Sequence, residues 1–241
     1  EPYYDSYAAS IAMAGGVRVP VTLRAPEFRL DAERLRAAVT NRTKLILLNT
    51  PHNPTGTVLT REELQAIADV AIEHDLIVVT DEVYEHLVYD GRHVPIATLP
   101  GMFERTLTIS SAGKTFAFTG WKIGWATGPA ELVTAARTTK QFLTFVNGAP
   151  MQPGIAHGLS MADGYYQTLT SDMRRKRDLL CAGLTEVGFK VFEPAATYFV
   201  TADITPLGYD DGLEFCRQLP ARAGVVAIPT VVFYDEVAAG L

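Results

Sequence analysis

Short apolar runs alternate with helical patterns from Val17 to Asp81, and this alternation constrains the fold more than any other feature of the chain. VRVPVTL from Val17 precedes LDAERLRAAV, KLILLN precedes TREELQAIADVAIEH, and LIVVTD closes the series. Strands separated by helices read as α/β, a mainly parallel sheet covered by helices. Thr60 and Glu63 form a capping box ahead of Leu64, Ile67, Ala68 and Ala71, so the spacing predicts a helix over 61–74. Ile77, Val78 and Val79 form the unbroken apolar run expected where both faces of a central strand are buried. TGWKIGWATG reads as a return strand, followed by helices over about 131–145 and 172–187. From Gly188 the pattern becomes KVFEP, TYFVTADI, an amphipathic DGLEFCRQL and a GVVAIP strand, part of a smaller α+β C-terminal domain. The division expected is a large domain over 1–170, then a linking helix and partial small domain over 171–241.

Three apolar runs end in polar segments. NTPHNPTG spans Asn49 to Gly56, TDEVYEHLVY spans Thr80 to Tyr89, and TISSAGKTFAFTGWKIGW from Thr108 places Lys114 in a Ser- and Gly-rich turn. In an open α/β sheet the ligand crevice lies outside the carboxyl ends of the strands, so Asn53, Asp81, Tyr84 and Lys114 are expected to converge. Their types fit pyridoxal 5'-phosphate. A lysine amine forms a Schiff base with the cofactor aldehyde. A carboxylate such as Asp81, facing the pyridine nitrogen, keeps it protonated, and a phenol and an amide, Tyr84 and Asn53, can donate to the phenolate oxygen. Each residue has an ordinary alternative: Asn53 as turn chemistry, Tyr84 as a half-buried aromatic, Asp81 as a strand-end carboxylate.

The order Asn-Pro-x-Gly, Asp-x-x-Tyr, Ser-x-x-Lys resembles the fold-type I, class I/II aminotransferases, over Glu1 to about Tyr234. The resemblance implies the cofactor roles just given for Asn53, Asp81, Tyr84 and Lys114. It assigns Tyr4 of EPYYDSY to stack on the pyridine ring, with Tyr3 as the weaker candidate. Phosphate binding falls to Ser111, three residues before Lys114, and to Lys122, eight residues after it. Ser110 competes for the serine role, and Ser111 has capping of the next helix as its plain alternative. Many relatives carry arginine where Lys122 stands. Lysine keeps the charge without the bidentate fork.

SSAGKTFAFTGWKIGW, PHNPTG and TDEVYEHL are most similar to the kynurenine and glutamine aminotransferase branch, and PLGYDDGLEFCRQLP favours its bacterial N-succinyldiaminopimelate aminotransferase members. The implied substrates are an amino acid and a 2-oxo acid, the implied assembly a homodimer, with kynurenine, glutamine or methionine transamination and β-lyase chemistry on cysteine S-conjugates as alternatives. The family's Gly-Ala phosphate loop and the arginine that grips the substrate α-carboxylate are not found in this sequence, so an internal fragment is expected. A further alternative is a non-catalytic, cofactor-sensing relative of these enzymes.

A net charge of -6 with scattered basic residues gives no nucleic-acid footprint. The RRKR run at Arg174 to Arg177 reads as a solvated helix face. No apolar run is long enough to span a bilayer. Cys181 and Cys216 lack metal-ligand spacing and suit a reducing compartment, so a cytoplasmic location is expected. His52 and His157 have no partner at ligand spacing, and no metal is expected.

Overall fold

The computed structural model describes residues 1–236. In chain order it contains α1 (Asp5–Met13), α2 (Ala32–Ala38), β1 (Leu45–Asn49), α3 (Arg61–Glu73), β2 (Ile77–Asp81), β3 (Thr106–Ser111), α4 (Ala112–Thr115) and β4 (Gly124–Thr127). The remainder comprises α5 (Ala130–Leu143), α6 (Gln152–Leu159), α7 (Gly164–Glu186), β5 (Lys190–Phe192), β6 (Thr201–Asp203) and α8 (Gly212–Ala223).

β1, β2 and β3 lie side by side and parallel, and β4 returns antiparallel on β3. The mostly parallel, helix-covered α/β sheet expected from the strand–helix alternation is therefore present. β5 and β6 form a separate antiparallel pair. The register sets Asn49 opposite Asp81, and Asp81 opposite Ile109. All three parallel strands thus deliver their polar segments to one edge of the sheet.

α3 explains why the sheet holds this register. Thr60 accepts from the Glu63 amide while the Glu63 carboxylate accepts from the Thr60 amide, satisfying two otherwise orphaned helix-end donors. The face so started carries Leu64, Ile67, Ala68 and Ala71 into a core with Leu35, Leu59, Leu76, Val78, Ile96, Leu99 and Met102. Side chains alternate along a strand, so Val78 and Thr80 enter this core while Ile77, Val79 and Asp81 share the opposite face. That opposite face is less covered, with Ile77 38% and Leu45 44% exposed. The continuous apolar run therefore does not mark a strand buried on both sides among the described residues.

Other expectations need correction. Residues 17–24 are extended but join no sheet: their backbone bonds run to Glu1, through the Glu1 amino group to the Val21 carbonyl and the Leu23 amide to the Glu1 carbonyl. Pro20, lacking an N–H, cannot extend a ladder there. GVVAIP is not a strand either, and Val226 and Ile228 are exposed. The helix expected from about 172 begins earlier, at Gly164. Within it Arg177 is not part of a solvated face: its side chain is 8% exposed, bonds Asp90 and Asp178, and lies over the Tyr89 ring at 5.1 Å. A run of four basic residues cannot face water on every side of a helix, and Arg177 falls on the inner one.

His52, in the turn after β1, is buried, and its Nδ1 lies 2.7 Å from Thr55 Oγ1. Burial lowers its pKa from about 6.5 to about 3, so the folded protein holds a neutral imidazole. The unfolded chain takes up the proton first as pH falls. Stability is therefore fully present above pH 6.5 and is lost towards pH 3, with a limiting slope of about 1.4 kcal/mol per pH unit from this one group. Urea midpoints at pH 7.5 and 5 should differ less in His52→Gln than in the native protein.

Candidate active site

The edge defined by Asn49, Asp81 and Ser111 gathers most of the residues singled out from the sequence. Asn49, not among them, is the buried organiser: its side-chain Nδ2 donates to the Asp81 carbonyl at 2.8 Å and its Oδ1 accepts from the Asn53 amide at 2.8 Å. This clamp joins the ends of β1 and β2 and fixes the backbone of Asn53. The half-buried Asn53 side chain itself has no hydrogen-bond partner among the described residues. Its amide is free to serve a ligand.

Asp81 closes β2. Its Oδ1 accepts from the Val83 amide at 3.2 Å and its Oδ2 from the Tyr7 hydroxyl at 2.7 Å. Burial raises the Asp81 pKa, while the Tyr7 hydroxyl, the Val83 amide and the nearby Lys114 ammonium pull it back down. A carboxylate that is desolvated without a full counter-charge is primed to hold a cationic N–H. Burial and the Asp81 charge likewise raise the Tyr7 phenol, which therefore stays protonated and donates.

Tyr7 sits on the first turns of α1, three residues after Tyr4, and the two rings meet edge-on at 5.7 Å. That spacing puts both on one helical face and was the signal available for Tyr7. Tyr4, 45% exposed, lies on the open side of this cluster. Tyr3 is engaged elsewhere, donating to Asp235, which Arg18 also binds. Of the two tyrosines, Tyr4 is the one next to Asp81's partner.

Tyr84 is buried, and its phenol is raised by burial first and then by Tyr198. The two hydroxyls are 3.4 Å apart, and Lys114 Nζ stands 5.8 Å from the Tyr84 ring centre. Lys114 lies in α4, a single helical turn rather than an open loop, and its Nζ donates to the Tyr198 hydroxyl at 2.9 Å. Tyr198, remote in sequence and flanking β6, carried no local signal.

Neighbouring serines on a strand face opposite ways. Ser110 is buried and donates to Glu85 at 2.5 Å, so it is committed to the far side. Ser111 caps α4, accepting from the Gly113 amide at 3.1 Å, and its hydroxyl lies 3.5 Å from the Ile123 carbonyl. Lys122 directly precedes Ile123, in the left-handed region at φ 55°, with an exposed side chain that makes no ion pair among the described residues. The β3–β4 pairing, Ser111 opposite Gly124, brings Lys122 back to the end of β3. Its cation is available for an anion there.

Among the described residues no cluster of three or more His, Cys, Asp or Glu side chains could hold a metal, and no helix is long and apolar enough to cross a membrane. The site offers instead an amine, a partly uncompensated carboxylate, a protonated phenol, a free amide and a free cation. This donor set fits pyridoxal 5'-phosphate, whose aldehyde, ring nitrogen, phenolate oxygen and phosphate call for those groups.

The sequence model of the family described as aminotransferase class I and II matches residues 1–236. The chain is 54% identical over 242 residues to a probable N-succinyldiaminopimelate aminotransferase, DapC, of Mycobacterium tuberculosis, covering 99% of this chain and 61% of that protein. It is 39% identical over 262 residues to kynurenine–oxoglutarate transaminase 3 of Mus musculus, covering 98% and 58%. A solved structure of N-succinyldiaminopimelate aminotransferase from Mycobacterium tuberculosis superposes with a TM-score of 0.95 at 54% identity, covering 98% of this chain and 62% of the other. The chain therefore spans about three fifths of the length of these relatives.

Proposed function

The chain belongs to the class I and II aminotransferase family, and on that premise we propose that its protein moves an amino group between an amino acid and a 2-oxo acid using pyridoxal 5'-phosphate. The observation that carries this reading is the meeting of Lys114, Asp81 and Tyr84 beyond the ends of adjacent parallel strands.

Bound at this edge, the cofactor supplies an electron sink for the pair released when the substrate Cα–H bond breaks. Lys114 Nζ would hold the cofactor through its aldehyde and, as the free amine, would accept the substrate Cα proton and return it. Asp81 holds a proton on the pyridine nitrogen, its own position fixed by the Tyr7 hydroxyl and the Val83 amide. Tyr84 and Asn53 would donate hydrogen bonds to the phenolate oxygen. Tyr4 stacks on the ring, and Ser111 and Lys122 hold the phosphate. The capping bond of Ser111 to Gly113 is compatible with this, because a hydroxyl that accepts one hydrogen bond still has its own proton to donate.

The finer reading is that N-succinyl-LL-2,6-diaminopimelate and glutamate are the amino donors exchanged, supported by 54% identity to DapC against 39% to the kynurenine transaminase. A homodimer acting in the cytoplasm belongs to the same reading, and two free cysteines accord with a reducing compartment. The test is the absorbance spectrum of the protein with pyridoxal phosphate, before and after each candidate amino acid. The expected result is a visible band that glutamate and N-succinyldiaminopimelate bleach and kynurenine leaves largely intact. A band that no amino acid bleaches would favour a cofactor sensor, and bleaching by kynurenine alone would overturn the substrate assignment.

A further inference from the structure

We infer that Tyr198 is a positioning residue for the Lys114 amine, held against it by a backbone strap, residues 194–198, that the loops of the candidate site grip. The inference rests on the reading of Lys114 as the residue that carries the cofactor.

Among the described residues Lys114 makes one side-chain hydrogen bond, to the Tyr198 hydroxyl at 2.9 Å, and no ion pair. Its partner is a phenol and not a carboxylate. A lysine amine rides on a flexible four-carbon stem with many rotamers, and a reaction that needs it at one point gains from a fixed acceptor. A phenol can release the amine more readily than a carboxylate, because no opposite charges have to be separated.

The strap shows that Tyr198 is placed and not merely nearby. The Ala196 amide donates to the Gly56 carbonyl at 2.9 Å, and the Thr197 amide to the Leu87 carbonyl at 2.8 Å. The Tyr89 and Asp90 amides both donate to the Ala195 carbonyl, at 2.8 and 3.1 Å. Arg177 Nη1 donates to the Pro194 carbonyl at 2.9 Å, and the Tyr89 hydroxyl to the Thr197 carbonyl. The strap is thus tied to the loop after β1, which carries Asn53, and to the loop after β2, which carries Tyr84. Gly56 permits the approach: a Cβ there would lie 2.2 Å from Pro194 Cβ.

Thr197, one residue before Tyr198, is 1% exposed and adopts φ +69°. A β-branched residue in the left-handed region is strained and persists only where its surroundings over-determine it. Here the surrounding hydrogen bonds hold it, and the residue they deliver next is Tyr198. The ring of Tyr198 then meets Tyr84 edge-on at 5.4 Å, leaving its hydroxyl between the Tyr84 and Lys114 head groups.

Attachment of the cofactor joins the amine nitrogen to the aldehyde carbon and releases one water. Orientation of the free amine should therefore affect the rate of attachment and leave the non-covalent hold on the cofactor alone. Tyr198→Phe keeps the ring and its contact with Tyr84 while removing the acceptor. On mixing with pyridoxal phosphate, its Lys114-dependent visible band is expected to appear roughly tenfold more slowly than in the native protein, the size of effect of one hydrogen bond. The affinity of Lys114→Ala for the cofactor, measured by equilibrium dialysis, is expected to change by less than about twofold when Tyr198→Phe is added. Equal attachment rates would overturn the inference while leaving the reading of Lys114 intact. A parallel loss of affinity in the double variant would also overturn it, by making Tyr198 a wall of the pocket. If the native protein develops no Lys114-dependent band, the reading of Lys114 fails and takes this inference with it.

Discussion

Replacing Lys114 by alanine is expected to abolish the visible cofactor band and to lower transamination by at least roughly 10⁴-fold, since the proposed function makes one side chain both tether and proton carrier. The geometry makes the loss specific. Lys114 has one hydrogen bond and no salt bridge among the described residues, so its removal should leave the fold intact while taking one nearby positive charge from the buried Asp81 carboxylate. Urea unfolding and stopped-flow transamination of the same preparation check both halves. A variant that unfolds early, or that keeps more than about a hundredth of native activity, would contradict the assignment.

Asp81→Asn is the second large effect, expected on the order of 10²–10⁴-fold in rate, corresponding to the loss of about 3–5 kcal/mol when one member of a buried charge pair is removed. An amide cannot hold a proton on a pyridine nitrogen as a carboxylate does. The same substitution should move stability the other way. The folded-state pKa of Asp81 is raised above its unfolded value, chiefly by burial. Such a group favours folding while it is protonated, and that contribution is lost as pH rises through the folded pKa. At pH 7 the ionised carboxylate therefore opposes folding of the cofactor-free protein. Asparagine removes the penalty and should raise the cofactor-free Tm at pH 7, with a smaller gain at pH 4. A site that weakens the empty protein to serve the loaded one is a common form of the stability–activity trade-off.

The sheet was legible in the sequence because periodicity reports burial, and β1, α3 and β2 each bury one well-defined set of apolar side chains. Asn53, Asp81, Tyr84 and Lys114 could be singled out because each ends or follows a strand, so a local pattern gave a spatial position. Tyr7 was missed although its helical spacing from Tyr4 pointed to it. Asn49 was missed because a polar residue ending a strand looks like any other turn residue until both its partners are seen. Tyr198 could not have been found: it reaches Lys114 through the strap, whose hydrogen bonds to Gly56 and Leu87 are non-local. The strand expected at Val17 failed for the converse reason, since β propensity without a partner edge gives only extended chain.

Asp81 stands opposite Asn49 on one side and Ile109 on the other. In a parallel sheet a side chain's address is its row, and moving β2 by one row would exchange the faces of every residue on it. Asp81 would then point into the packing of α3, and Thr80 would take the ligand side. The misaligned chain would carry a carboxylate on the face that now buries Val78 and Thr80, and a buried charge without a partner is costly. Asp81, the proposed partner of the cofactor's ring nitrogen, would thus also act as a check on assembly, because a slipped register would set its charge against the core.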